Sequence, residues 1–128
     1  MSDMNLKLRN TAGNYFKEGY NCAESIVKTF IPVVAPDIDP ATMKLFSGFG
    51  GGYGHAGCTC GALAGAIGVL GMLEGRECKE ESRDQIYQLS QDFHNQFKEK
   101  FGSTCCRALN QHPFDSKEHL RNCLEITG

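Results

Sequence analysis

Glycine constrains the fold of this chain more than any other residue type, because six of the ten residues at positions 48–57 are glycine. Each glycine loses more backbone entropy on folding than alanine would, so regular structure is unfavourable there and we predict a shaped loop. The apolar segment that follows, residues 60–73, carries Gly61, Gly65 and Gly68 on one face of a helical wheel. Glycine on that face lets another backbone approach closely. We therefore predict a central glycine-rich helix preceded by a glycine-rich loop.

The N-terminal part of the chain has helical spacing with clear start and stop signals. Gly19 ends a first helix, and Asn21 is a good N-cap for a second one, with Glu24 three residues later completing a capping box. Pro32 and Pro36 are expected to break the chain after that second helix. A short third helix then begins at residues 39–40, where Asp is the cap and Pro takes the first helical position.

The C-terminal part is also predicted to be helical. A long amphipathic helix covers residues 80–101, and Gly102 ends it. Its apolar stripe consists of Ile86, Leu89, Phe93, Phe97 and Phe101. A short helix starts near Thr104 and a last one at Asp115 or Ser116. The fold class predicted is all-α, an irregular bundle of about six to seven helices forming one domain over residues 1–128.

Composition and charge exclude several classes of partner. The formal net charge is −2 and no long basic block occurs, so we expect neither nucleic acid nor an anionic membrane as a partner. The apolar stretch at residues 62–73 is too short to span a bilayer. Residues 1–10 hold no apolar run, so we expect no signal peptide and a cytoplasmic protein. The phenylalanine stripe could extend into a partner helix, which makes a homodimer an expectation.

Seven cysteines carry the chemistry of the chain, and several stand at predicted helix starts. Cys22 follows the cap Asn21, Cys60 follows Thr59, and Cys105 and Cys106 open the short helix. A helix N-terminus stabilises an anion by about 0.3–1 kcal/mol, which favours the reactive thiolate. A fuller decrease in pKa needs a cationic neighbour or a metal as well, and Arg107 and Arg121 are candidates for the cation.

The remaining cysteines and the histidines allow weaker interpretations. Cys123 lies mid-helix, as a resolving thiol or a core residue, and shares a face with His119, which could help it to bind a metal. Cys58 and Cys60 are spaced for metal ligation rather than for a disulfide, whereas Cys78 stands in a charged turn. His55 is a candidate base or ligand. Residues 52–57 match G-x-G-x-x-G, but a dinucleotide site needs a preceding strand, which the pattern does not indicate.

Several of these segments together resemble the C_GCAxxG_C_C family of small redox-active proteins with four spaced cysteines. The resemblance covers residues 19–24, the glycine loop at 47–52, residues 60–65, residues 106–109 and Cys123. It implies a cytoplasmic helical protein with redox-active or metal-binding cysteines. The working four that it indicates are Cys22, Cys60, Cys106 and Cys123, although Cys58 could replace Cys60 and Cys105 could replace Cys106.

Three functional hypotheses follow. The first is a thiol-based redox protein, with thiol–disulfide oxidoreductase activity, in which Cys22 and Cys60 react and Cys106 and Cys123 form the resolving or second pair. Its partner would be a redox protein, a small thiol or an oxidant. The second is a metal or iron–sulfur protein in which the same four cysteines bind zinc or a cluster. The third is a structural or interaction module with core cysteines.

Overall fold

The computed structural model of the protein describes residues 3–109, and this part of the chain has an all-α fold, as predicted. Within residues 3–109, five helices of ten residues or more occur, slightly fewer than the six to seven expected for the whole chain, and two single turns accompany them. The five are α1 (Asp3–Glu18), α2 (Cys22–Val34), a 3-10 helix (Pro40–Phe49), α4 (Gly61–Glu74) and α5 (Asp84–Phe101). The single turns are α3 (Gly50–Tyr53) and α6 (Cys106–Leu109).

The N-terminus of α2 is fixed by the predicted capping box. The side chain of Asn21 accepts a hydrogen bond from the Glu24 N–H at 2.8 Å, and the Glu24 carboxylate accepts one from the Asn21 N–H at 3.0 Å. The Asn21 amide also donates to the carbonyl of Ser47 at 3.0 Å, which ties the end of the 3-10 helix to α2. The expected break at Pro32 is wrong, because α2 continues through it to Val34, whereas the break expected at Pro36 is present, since α2 ends two residues before it. The helix tolerates this proline near its C-terminal end, where few further hydrogen bonds depend on it.

Helix α4 packs against α2 through its glycines, as predicted. A Cβ built on Gly65 would lie 2.8 Å from the carbonyl oxygen of Ala23 in α2, and one on Gly68 would overlap the ring of Phe46 in the 3-10 helix. Side chains at this contact are fully enclosed, since Ala23 and Leu63 are both 0% exposed. The glycine face therefore sets the distance between the two central helices, and with it the distance between their first residues.

The glycine-rich loop is a shaped loop, and its shape is a left-handed turn. Residues 51–55 have consecutive positive φ angles of 65°, 67°, 69°, 65° and 67°. Three of them are glycines, which adopt this region freely, whereas Tyr53 and His55 do so at a cost of roughly 1–2 kcal/mol each. Backbone hydrogen bonds from Gly57 to Gly51 (3.2 Å) and from Cys58 to Gly52 (3.1 Å) close the turn. No strand precedes it within residues 3–109, so the context of a dinucleotide site is missing there.

Helix α5 begins at Asp84, four residues later than predicted, and ends at Gly102 as predicted, with φ of 88°. Phe97 is buried and Phe101 packs against the core, whereas Phe93 is 37% exposed. These phenylalanines border an apolar cavity of about 380 Å³ between α2, α4 and α5. Among residues 3–109, no helix has both the length and the apolar character needed to cross a membrane. The last predicted helix lies outside the described residues.

Candidate functional site

Three buried thiols stand at the starts of three helical elements. Cys22 is the first residue of α2, Cys106 is the first residue of α6, and Cys60 is itself the N-cap of α4, one position earlier than its predicted place in the first turn. Their exposed fractions are 6% for Cys22, 5% for Cys60 and 5% for Cys106. We call these three residues the thiol cluster.

An antiparallel bridge places Cys60 beside the start of α6. Thr59 pairs with Cys105, and the Cys60 N–H donates to the Thr104 carbonyl at 2.7 Å. On the other side of the bridge, the Cys106 N–H donates to the carbonyl of Cys58 at 2.5 Å. Two segments separated in sequence by the whole of α4 and α5 thus lie side by side, and this pairing brings Cys106 to Cys60.

The glycine contact between α2 and α4 brings Cys22 to the same place. The sulfur of Cys22 fills the space that a side chain on Gly61 would occupy, so a Cβ there would overlap it. Cys22 and Cys60 belong to one core cluster, together with Leu63. Charge on Cys22 disfavours ionisation of Cys60, and charge on Cys106 does so to a smaller degree. The structure therefore brings together three of the four cysteines that the resemblance indicates.

Burial determines the protonation of these thiols. Burial raises the pKa of Cys22, and it raises the pKa of Cys60 from 9.0 to about 12, with the neighbouring thiolates adding to the second shift. Backbone N–H groups act in the opposite direction on both sulfurs. For Cys22 these belong to Gly51, Ala23, Cys22 and Gly61, and for Cys60 to Ala62 and Leu63. The expectation that a helix start lowers the pKa is therefore wrong for this pair, because desolvation outweighs the helix terminus.

The sequence did not single out Gly51 or the N–H of Gly61 as parts of the site. Both approach the sulfur of Cys22 through the main chain. The left-handed conformation of Gly51 turns its backbone back toward the start of α2. The available signal was the run of three glycines at residues 50–52, because a main chain that must adopt positive φ and approach a neighbour closely selects glycine.

The other cysteines divide clearly by exposure. Cys58, Cys78 and Cys105 are exposed, so within residues 3–109 Cys60 rather than Cys58, and Cys106 rather than Cys105, belongs to the buried cluster. Cys78 stands in the turn after α4, with its sulfur 3.8 Å from a carboxylate oxygen of Glu81. Cys123, His119 and Arg121 lie outside the described residues, so the predicted fourth member and its neighbours stay predictions.

Metal ligation was the alternative use of these residues. Among residues 3–109, no three His, Cys, Asp or Glu side chains are arranged to hold a metal ion. The four-cysteine site with zinc or an iron–sulfur cluster stays a prediction, because Cys123 is outside that part of the chain. His55, the candidate base or ligand, is exposed, and its ring lies where a side chain on Gly51 would be.

Comparison with known proteins shows the family to which the chain belongs. A search of curated proteins and a search of solved structures each found no match to the chain. A family model described as "Putative redox-active protein (C_GCAxxG_C_C)" matches residues 20–128, a range that includes all seven cysteines. The chain therefore belongs to the C_GCAxxG_C_C family.

Proposed function

We propose that this protein is a thiol–disulfide redox protein in which Cys22 and Cys60 form a reversible disulfide. The observation that carries the proposal is the position of two enclosed thiols, one on each of two helices that glycine holds in close contact. The sulfur of Cys22 rests against Gly61, the residue next to Cys60 in sequence. A disulfide requires Cα atoms about 4.4–6.8 Å apart, and a helix contact made at glycine is the kind that permits this approach.

Cys22 is the better nucleophile of the pair. Four backbone N–H groups favour its thiolate, whereas two favour that of Cys60. Cys60, with a pKa of about 12, is ionised in about one molecule in 10⁵ at pH 7. The reduced protein therefore holds Cys60 as a thiol while Cys22 attacks first.

The second step follows from the loss of charge on Cys22. The Cys22 thiolate attacks an external disulfide and forms a mixed disulfide, releasing one thiolate of the reagent. Cys22 then carries no charge, which removes one of the causes of the high pKa of Cys60. Cys60 loses its proton, attacks the sulfur of Cys22 and releases the second thiolate. The protein loses two electrons, the reagent gains them, and the two protons go to the two released thiolates.

The test measures whether the two thiols disappear together. The purified protein is equilibrated in buffers of reduced and oxidised dithiothreitol, remaining thiols are alkylated, and peptides are identified by mass spectrometry. We expect one transition in which Cys22 and Cys60 are lost as a linked pair. Cys22→Ser and Cys60→Ser should each abolish this transition, whereas Cys78→Ser, at an exposed turn, should leave it unchanged.

Two outcomes would contradict the proposal. One is a wild-type protein in which both thiols stay alkylatable at the oxidising limit, with the sample shown to be folded by circular dichroism. The other is a disulfide transition that persists unchanged in Cys22→Ser, which would assign the redox chemistry to other cysteines.

A further inference from the structure

The thiol cluster poses an access problem for any external disulfide. Thiol–disulfide exchange requires the attacking sulfur to reach the disulfide directly. The three cluster residues are only 5–6% exposed, so a reagent meets them directly only after local opening of the structure. Exposed cysteines within residues 3–109 are Cys58, Cys78 and Cys105. One of them could transfer a disulfide to the cluster if it lies close enough to a cluster thiol.

Cys58 lies opposite Cys106 in the antiparallel pairing. Since Thr59 pairs with Cys105, the residues flanking that bridge face each other, and the Cys106 N–H donates to the Cys58 carbonyl at 2.5 Å. Residues opposite each other in an antiparallel pair have Cα atoms about 4.5–5.5 Å apart; Cys58 and Cys106 share one hydrogen bond of such a pair, since the Cys58 N–H donates to Gly52 instead. Disulfides form at Cα separations of about 4.4–6.8 Å.

The surroundings of Gly52 give a second, independent indication that Cys58 and Cys106 are close to each other. A Cβ built on Gly52 would lie 2.5 Å from the nitrogen of Cys58, 2.7 Å from its carbonyl oxygen and 2.9 Å from the Cβ of Cys106. The main chain of Cys58 and the side chain of Cys106 therefore approach one small space from two sides. The absence of a side chain at Gly52 leaves that space available.

The two other exposed cysteines lack this placement. Cys105 pairs with Thr59 rather than with a cluster residue, and its side chain belongs to the opposite side of the bridge from that of Cys106. Cys78 stands in the turn between α4 and α5, beside Glu81. They serve as controls, since both are exposed thiols of the same chain.

We propose that Cys58 is the entry point through which a low-molecular-weight disulfide oxidises the thiol cluster. This inference rests on the proposed function, because the cluster must hold the final disulfide. Cys58 is an addition to the four cysteines of the family resemblance, and it connects the protein surface to Cys106.

The exchange balances at each step. The Cys58 thiolate attacks the reagent RSSR, forming Cys58–S–S–R and releasing RS⁻, which takes up a proton. Cys106 then attacks the sulfur of Cys58, forming a Cys58–Cys106 disulfide and releasing the second RS⁻. Cys22 attacks Cys106 and frees Cys58, and Cys60 attacks Cys22 and frees Cys106. In sum, two protein thiols and RSSR give the Cys22–Cys60 disulfide and two RSH.

The experiment compares rates, because removal of an entry point changes the speed of oxidation and leaves its equilibrium in place. The full chain, reduced and then freed of reductant, is mixed with oxidised glutathione, quenched in acid at intervals and mapped by mass spectrometry. Cys58→Ser should slow formation of the Cys22–Cys60 disulfide by about tenfold or more, because buried thiols then react only through local opening. Cys105→Ser and Cys78→Ser should stay within about twofold of wild type, as expected for exposed thiols outside the route.

A second measurement identifies the first intermediate. In the wild-type protein, glutathione should appear first on Cys58, and Cys106→Ser should make that mixed disulfide accumulate. Equal rates in Cys58→Ser and wild type, or first attachment of glutathione at Cys105, would overturn the entry-point role. In both of those cases a Cys22–Cys60 disulfide formed at equilibrium would leave the proposed function standing, so the two failures are distinguishable.

Discussion

The glycine contact that brings Cys22 and Cys60 together can be tested by adding one methyl group. In Gly65→Ala, the new Cβ would lie 2.8 Å from the carbonyl oxygen of Ala23, 3.2 Å from its Cα and 3.3 Å from the Cβ of Ile26. Two of these three atoms are backbone, so α2 and α4 must move apart. Overpacking of this kind costs about 1–3 kcal/mol of unfolding free energy.

The matched control lies in the same helix. A Cβ on Gly71 would meet nothing within 4 Å, so Gly71→Ala changes only the helix propensity of the site. Replacing glycine by alanine inside a helix stabilises by up to about 1 kcal/mol. We therefore expect Gly71→Ala to be stabilising, and Gly65→Ala to be less stable than Gly71→Ala by about 1–3 kcal/mol.

The assay is urea denaturation under reducing conditions, monitored by circular dichroism. Wild type, Gly65→Ala and Gly71→Ala are compared with one common slope of unfolding free energy against urea concentration. The same samples should show faster alkylation of Cys22 in Gly65→Ala, because separation of α2 from α4 uncovers its sulfur. Equal stabilisation by the two alanines would refute the close contact between these helices. It would also remove the geometric basis for a Cys22–Cys60 disulfide.

Two further predictions concern the cap of α2 and the buried thiol. Asn21→Ala removes the capping box and should cost about 1–2 kcal/mol in urea denaturation, whereas the exposed Asn14→Ala should change stability by less than about 0.5 kcal/mol. Because the pKa of Cys60 is raised in the folded state, its contribution to stability is complete below pH 9 and is lost between pH 9 and about 12. From pH 8 to pH 10 the loss of unfolding free energy is about 1.4 kcal/mol, and the unfolding free energy of Cys60→Ser should fall less steeply over this range. Equally steep falls in wild type and Cys60→Ser would contradict the raised pKa of Cys60.

Features set by nearby residues could be predicted from the sequence. The capping box needs only Asn21 and Glu24, which are three residues apart, and both of its hydrogen bonds are present. The glycine face of α4 follows from helical spacing, and Gly65 does meet the backbone of α2. Helix α5 starts four residues later than predicted, because residues 80–83, three of them charged, continue the helical pattern without taking part in the helix.

Features set by tertiary packing could not be predicted. The thiols of Cys22 and Cys60 stand at helix starts as expected, yet their pKa values move upward, because the sign depends on burial that other elements create. The left-handed conformations of Tyr53 and His55 contradict local preference, and the hydrogen bonds of the closed turn hold them. Proximity of Cys106 to Cys60 depends on a bridge between distant segments, which no local pattern encodes.

The bridge between Thr59 and Cys105 completes the thiol cluster, and we expect it to form late in folding. All of α4 and α5 lies between these residues, so their pairing closes a long loop, and the entropy of that closure opposes the contact until both helices have docked. A nascent or partly unfolded chain therefore has its cysteines dispersed and open to solvent. Burial of Cys106 therefore reports that the native topology has formed. This thiol is protected from alkylation only when the segment after α5 pairs with the segment before α4.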